Sequence, residues 1–510
     1  MKKADRNRSS HSRREFLGSL AAGIGVSAVL PTVYASGESG VDQAPRPPAN
    51  LRVIEASSAG SGTVLTAKDL AYKGCFALPQ DLSDAMSTGT SYGTITLRRV
   101  SGKLNLLTTA RDVPNQANGN VPDQVYEVEV PTTLSPDADT AIKNDNRARF
   151  VRWWGDVYQG KRLYNNLAAG NPSFLGGLQW DDNRQGIWLA YKDVYGINAN
   201  DPSLIFTRLN ADGSVRAFGP WRTTAGSHLT GGYMALLPPE FSNRADLART
   251  LFAGKRLILS AMYGSGGGAS PWGINGHVML SEPSETTPPD PVDDRSKASV
   301  PVGMLAQFDI NNLQPAPSAL RRGVCDSMLY HQGEAGYPNP NLPLGAAKPV
   351  LGPVGPAGTA GNVFNDYITS TAWVNTSSGK QGVIFATSFV DGVTEDAHAW
   401  YGNDTCIHGK KDPWHQATGP GATVRRVGLF IYDQNDFAKV ARGEMDRTKL
   451  RETAYIPMRS LVGDIDGSTI ATGSLRLAFD RQTNQLFVSE ASRDWSNIYA
   501  GKAIIRVFQL

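Results

Sequence analysis

The stretch GSLRLAFDRQTNQLFVSE, Gly473–Glu490, reads as strand, turn, strand. Leu475, Leu477 and Phe479 alternate with their neighbours, Asp480-Arg-Gln-Thr-Asn484 breaks the run, and Leu486-Phe-Val488 resumes it. Alternation with a period of two, interrupted by turn formers, marks a hairpin. Four earlier stretches repeat it. The first strands YGTITLRRV (from Tyr92), FLGGLQWD (from Phe174), GGYMALL (from Gly231) and DYITSTAWV (from Asp366) are each followed by a turn and a second strand: GKLNLLTT, GIWLAYKD, KRLILSAM and GVIFATSF. A third strand follows after a loop of variable length: VYEVEV, LIFTRL, MLAQFDI, VGLFIYD and finally AIIRVFQL. ARFVRWW, VRAFGPW and ETAYIPM read as fourth, outer strands.

Radial repetition of four antiparallel strands predicts an all-β chain, a β-propeller of five four-stranded blades. The last blade lacks its outer strand. LAYKGCFALP (Leu70–Pro79) resembles ETAYIPM and is expected to supply that strand, closing the ring and removing exposed sheet edges. A β-sandwich also gives short strands with turn signals, but not the same order of strand types five times. The Pro- and Gly-rich stretches 281–303 and 331–365 leave room for a further, poorly patterned blade.

Residues 1–35 read as an export signal. A basic start (Lys2, Lys3, Arg6, Arg8) precedes SRREFLG (Ser12–Gly18), which resembles the twin-arginine motif; an apolar run, Leu20–Leu30, and the small-residue site VYA ending at Ala35 follow. The apolar run is too short for a permanent membrane span. The mature protein is expected to be periplasmic or extracellular. Six Lys/Arg and two acids give these residues +4 of a whole-chain +3, so the remainder carries −1, with no basic footprint for nucleic acid. Residues 36–66, rich in Gly, Ser, Pro and Ala, read as a flexible spacer, and 67–510 as one propeller domain. Three cysteines make no disulfide scaffold. Cys325 and Cys406 pairing outside the cell with Cys75 buried, or plain packing for all three, both fit. A closed ring has no edge to share, which predicts a monomer.

In a propeller the loops alternate between two faces. Turns joining strands one to two and three to four are bland here: SGK, DDNRQG, TSSGK, RQTN, NADG. Loops joining strands two to three, and one blade to the next, carry the unusual residues. His228, His277, His331, His398, His408 and His415 fall on this second set or at its margins, as do WWGDVYQ (Trp153–Gln159), KDVYG (Lys192–Gly196), YGSGGGASPWG (Tyr263–Gly273), HQGEAGYP (His331–Pro338) and RDWSNIY (Arg493–Tyr499). The longest, 390–424, holds Trp400, Tyr401 and Trp414, and aromatics argue against disorder. Aromatics mixed with short polar groups around a concave mouth suit a polysaccharide or oligosaccharide: rings stack on pyranose faces while polar groups bind hydroxyls. Trp153, Trp154, Tyr195, Trp272, Trp400, Tyr401, Arg493 and Trp495 are the substrate-binding candidates. Each taken singly also reads as loop packing.

Two catalytic chemistries fit such a mouth. A hydrolase needs two carboxylates, for which Asp156, Asp193, Glu334, Asp366, Asp396 and Asp494 are available. A uronate lyase needs a cation for the sugar carboxylate and a base, Tyr or His, for the adjacent proton. His228, Tyr233, Tyr191, Asp193, His331 and His415 are the catalytic candidates. The spacing H-x9-H-x6-H from His398 to His415 matches no familiar zinc pattern. DIDGS (Asp464–Ser468) and DGVTED (Asp391–Asp396) make calcium the cofactor to consider, although turns use the same residues. GSGGG (Gly264–Gly268) lacks the Lys-Ser/Thr of a phosphate loop, and no Cys-x-x-Cys-His appears for haem.

The stretches GPWR, GGYMALLPPEF, GKRLILSA and GSGGGAS between Gly219 and Ser270, TAWVNTSSGKQGVIFATSF from Thr371 and RRVGLFIYDQNDFAKVARGE from Arg425 resemble a group of uncharacterised bacterial β-propeller proteins exported by the twin-arginine route. The resemblance covers most of 70–510; it implies the fold and no activity. The third-blade acid of arabinanase-like hydrolases and the S-x-D-x-G-x-x-W boxes of sialidases are not found. Propeller-type polysaccharide lyases are similar in using His and Tyr near the channel. The expected function is a secreted carbohydrate-active enzyme, lyase or hydrolase, with a non-catalytic glycan- or protein-binding propeller and an exported oxidoreductase as the alternatives.

Overall fold

Two hairpin turns show how local chemistry sets the architecture. In the computed structural model Leu475–Asp480 pairs antiparallel with Gln485–Glu490. The Asp480 carboxylate accepts from the Gln482 and Thr483 amides, each at 3.3 Å, and Asn484 closes the turn at φ 54°. The turn after Asp181 works alike: its carboxylate accepts from the Asn183 amide at 3.0 Å and Gln185 sits at φ 50°. An Asp that folds back on its own backbone competes with strand continuation and starts the reversal.

The structure describes residues 54–55, 63–79, 81–83, 86–87, 94–110, 124–161, 173–193, 202–225, 230, 232–260, 275–291, 294, 296–308, 367–391, 398–401, 404–407, 424–447, 450, 452–462, 475–490 and 503–510. All belong to one compact unit, Arg52–Leu167 with Asn171–Leu510. The chain is mostly β. Before the main sheets come β1 (Ile54–Glu55), β2 (Ala71–Ala77), β3 (Asp81–Ser83) and β4 (Met86–Ser87). The first sheet is β5 (Ile95–Val100), β6 (Lys103–Ala110), β7 (Gln124–Glu129) and β8 (Arg149–Gly155) in sequence order. The second is β9 (Ser173–Asp181), β10 (Gly186–Asp193), β11 (Leu204–Leu209) and β12 (Val215–Trp221); the third is β13 (Met234–Leu236), β14 (Leu257–Ser260), β15 (Asn275–Leu280) and β16 (Val302–Phe308). The fourth begins with β17 (Tyr367–Asn375) and β18 (Gln381–Asp391). A separate hairpin of β19 (His398–Tyr401) and β20 (Asp404–Ile407) intervenes before β21 (Val424–Tyr432) and β22 (Glu452–Pro457) complete it, with β1 on its outer edge. In the last sheet β23 (Leu475–Asp480), β24 (Gln485–Glu490) and β25 (Ile504–Gln509) are joined by β2, which pairs antiparallel with β25 from Ala71↔Gln509 to Ala77↔Ile504. This is a propeller-like arrangement of four-stranded sheets.

First strands pack on first strands. β5 touches β9, β9 touches β13, β13 touches β17, β17 touches β23, and β23 touches β5. Gly177 permits one close approach: a Cβ there would lie 2.5 Å from the Gly232 carbonyl oxygen and 2.8 Å from the Met234 side chain. The apolar cores lie between sheets. Leu107, Val125 and Trp154 meet Leu178 and Ile187 between the first and second, and Trp188 and Phe206 meet Met234 and Leu257 between the second and third. Phe241, Trp373 and Phe437 fill the third and fourth; Ile384 and Leu429 face Leu477 and Leu486 between the fourth and fifth. Phe76, Leu106, Phe487 and Ile505 join the fifth to the first. Burying each such side chain contributes about 1.5–3 kcal/mol, so stability resides at the seams between sheets.

One strand assignment needs correction, and the described residues bear in part on two other expectations. MLAQFDI reads as a third strand but forms β16, the fourth; the third is Asn275–Leu280. Its opening Asn-Gly-His follows a Gly-rich run and looks like loop. Described residues between 281 and 301 hold turns and one bridge, Thr223↔Val300, and no strand; 331–365 lies outside the described residues. Finally, the spacer is structured in part. Ile54 and Glu55 pair with Tyr455 and Ala454, and Leu65 is buried against the fourth and fifth sheets, because an apolar side chain outweighs the flexible composition around it.

Candidate functional site

The first strands of three sheets bring one polar cluster together. Tyr233 directly precedes β13, and its carbonyl accepts from the Ser260 amide at 3.0 Å. Its side chain is 2% exposed and hydrogen-bonds Ser260. Burial raises the phenol's pKa well above the usual tyrosine range, against the opposing effects of Ser260 and the Arg476 cation. Arg476, the second residue of β23, is equally buried, and its guanidinium donates to the Thr369 carbonyl of β17. Burial pulls its pKa down to about 10, with Tyr233 acting the other way. The strands that carry the cluster are held in register. Thr369 Oγ1 donates to the Leu475 carbonyl at 2.7 Å and the Leu477 amide donates to Ser370 Oγ at 2.9 Å.

Of the catalytic candidates, then, Tyr233 enters a polar cluster. Tyr191 does not: it is buried in the seam between the first two sheets, edge-on to Tyr158 with ring centroids 6.1 Å apart. Asp193 is the last residue of β10, opposite Ser173. His228, His331 and His415 lie outside the described residues, as do Tyr195, Trp272, Arg493 and Trp495. Trp153 and Trp154 are in β8, the outer strand of the first sheet, rather than in a loop. Trp154 is 4% exposed; its indole donates to Glu127 at 3.1 Å and the Arg98 and Arg152 guanidiniums stack over it at 5.2 and 4.9 Å. No ring face is left for a sugar. Trp153 is half-buried against the seam between the fifth and first sheets. Trp400 and Tyr401 are in β19, paired with Thr405 and Asp404.

His277 lies in β15 opposite Ser260, and His398 opens β19. Asp156 accepts from the Tyr158 and Gly160 amides, a turn-forming role. Among the described residues no three His, Cys, Asp or Glu side chains gather as a metal site; DIDGS and most of DGVTED lie outside them, and Cys75 is buried.

Sequence reasoning missed Arg476, Ser260 and Thr369. The signal for Arg476 was present: a lone cation between Leu475 and Leu477 on a first strand.

No sequence family matches the chain, and no curated protein matches it. Solved structures that overlay on it include a candidate glycoside hydrolase of Parabacteroides distasonis, with 10% identity over 89% of this chain and 95% of that one and a TM-score of 0.35. A glycosyl hydrolase of Bacteroides ovatus overlays with 9% identity, 86% and 94% coverage and a TM-score of 0.36. The hemagglutinin-neuraminidase ectodomain of parainfluenza virus 5 does so with 8% identity, 86% and 85% coverage and a TM-score of 0.27. Overlaps at this level carry no argument about activity. No described helix is long and apolar enough to cross a membrane.

Proposed function

We propose that the chain is a carbohydrate-active enzyme, exported by the twin-arginine route, whose five blades close through the N-terminal strand and whose site is the channel end where the first strands begin. The observation that carries this reading is the Tyr233–Arg476 cluster, contributed by the third, fourth and fifth sheets. A cation acting electrostatically on a phenol joins the residue types a uronate lyase uses, which favours eliminative cleavage over hydrolysis. Arg476 neutralises the sugar carboxylate and so acidifies the carbon next to it. A phenol with a raised pKa stays protonated at neutral pH, so Tyr233 serves as general acid. His228, five residues upstream, takes the carbon-bound proton. The glycosidic C–O bond breaks, a carbon–carbon double bond forms, and the leaving oxygen takes the Tyr233 proton.

The test is incubation of the purified protein with pectate, alginate and hyaluronan, following ultraviolet absorbance of the unsaturated uronate. The expected result is new absorbance with at least one polymer, lost in Y233F and in R476M. New reducing ends without absorbance would make the enzyme a hydrolase, and binding without product would make it a glycan-binding module.

A further inference from the structure

A second polar site lies at the other end of the sheets, where the β9–β10 turn meets the β15–β16 connection. It is an open cleft of about 860 Å³, lined by Arg98, Arg184, Arg208, Arg256, Glu282 and Glu285 among others. That volume falls in the range of small-molecule sites. Its walls are fixed from behind. The Trp221 indole donates to the Thr287 carbonyl at 3.2 Å. Asp290 accepts from the Arg222 amide at 2.7 Å and from Ser299 Oγ at 2.8 Å, and the Arg222 guanidinium donates to the Asp294 carbonyl at 2.9 Å. The segment presenting Glu282 and Glu285 is thus tied to the end of β12.

Three of the four arginines pair with carboxylates. Arg98 meets Glu127 at 3.0 Å, Arg208 meets Glu285 at 2.5 Å, and Arg256 meets Glu282 at 2.6 Å and Asp181 at 3.3 Å. Arg184 differs. Its guanidinium lies over Phe206 at 4.0 Å and Trp188 at 4.8 Å and donates to the Pro283 carbonyl at 2.8 Å. Among the described residues it has no carboxylate at ion-pair distance. Partial burial pulls its pKa below the ordinary arginine value. A desolvated cation is ordinarily matched by an anion; here Asp181, Glu285 and Glu282 act on Arg184 only from beyond ion-pair distance, and a carbonyl and two ring faces make its contacts.

We infer that this cleft binds a small ligand with two or more oxyanion groups, one on Arg184 and one on Arg208. Guanidinium forks match carboxylate, phosphate and sulfate oxygens through paired N–H donors, and an aromatic backing holds the Arg184 plane in place before the ligand arrives. Glu285 shows the mode of binding from within the chain: its Oε1 accepts from one Arg208 Nη. That pair is partly open to water, with Arg208 44% and Glu285 24% exposed, so a ligand oxyanion can compete with Glu285 for Arg208.

The experiment is calorimetric titration of the whole mature protein at low ionic strength with citrate, tripolyphosphate, sulfate and a galacturonate trimer. These arms separate carboxylate, phosphate and sulfate sources. At least one multivalent probe is expected to bind and to weaken as salt is added. R208Q, at an exposed position, is expected to weaken that probe about tenfold, the loss of one charge-assisted contact. E285Q, which withdraws the internal competitor, is expected to tighten it severalfold, while R216Q on β12, outside the cleft, leaves it unchanged. No heat with any probe overturns the inference, as does binding that R208Q leaves intact or that E285Q weakens. Because Arg208 and Glu285 play no part in the Tyr233–Arg476 reading, either proposal can fail alone.

Discussion

Arg506 and Arg208 each pair with a glutamate, and the pairs behave as different materials. Arg506 of β25 and Glu490 of β24 are both 0% exposed, with the Tyr72 hydroxyl 3.3 Å from Arg506 Nη1. Arg208 and Glu285 are 44% and 24% exposed. Desolvation decides the outcome. A buried charge that loses its partner has no water to fall back on, so the fifth-sheet pair is committed to the fold. An exposed partner exchanges freely with solvent or ligand, so the cleft pair is available for binding. Arg476 is buried like Arg506; its guanidinium donates to the Thr369 carbonyl and feels the Tyr233 phenol electrostatically.

E490A is the strongest way to break this contrast. It removes the Glu490 carboxylate from Arg506 and is expected to cost about 3–5 kcal/mol of stability by denaturant titration; a cost near that of a surface pair would overturn the contrast. G177A tests the close packing that makes the inner region so dry. Its Cβ meets backbone on β13, and a loss of about 1–3 kcal/mol is expected.

Alkaline titration sharpens the place of Tyr233. The unfolded phenol releases its proton near its ordinary value of 10.0, whereas the folded phenol holds it to higher pH. Above that value the unfolded state therefore binds fewer protons, and stability falls as pH rises. Y233F is expected to remove up to about 1.4 kcal/mol per pH unit of that slope, read from unfolding midpoints above pH 10. Arg476 pulls the other way, since it releases its proton earlier when folded, and its contribution persists in the variant. The smallest effect belongs to Arg481–Glu240, a pair 47% exposed on both sides: E240Q is expected to change stability by about 0.5 kcal/mol or less.

Much of the strand order was legible. Alternation located the first strands and second strands of the five main sheets, because a half-buried strand must place its apolar residues on one side. It failed at Asn275–Leu280, where Gly276 and His277 interrupt the pattern and pairing with β14 and β16 does the work. The helix Gln434–Arg442 is also marked in the sequence, by Asp433 at its start and Gly443, at φ 77°, at its end. The site was less legible. Tyr233 stands out by its position before a first strand, whereas Trp154 and Tyr191 stand out by residue type alone and are buried in packing between sheets.

Taken alone, the amino-acid sequence determined the local grammar: which runs extend, where Asp and Gly turn them, and how charge divides between the first 35 residues and the rest. Tertiary structure decided which polar residues meet. Arg476 and Tyr233 are 243 positions apart by number, and Arg208 and Glu285 77 apart. Periodicity reports only the side of a strand on which a residue sits. Which other strand comes to face it, and whether water is left between them, depends on sheets packing against one another.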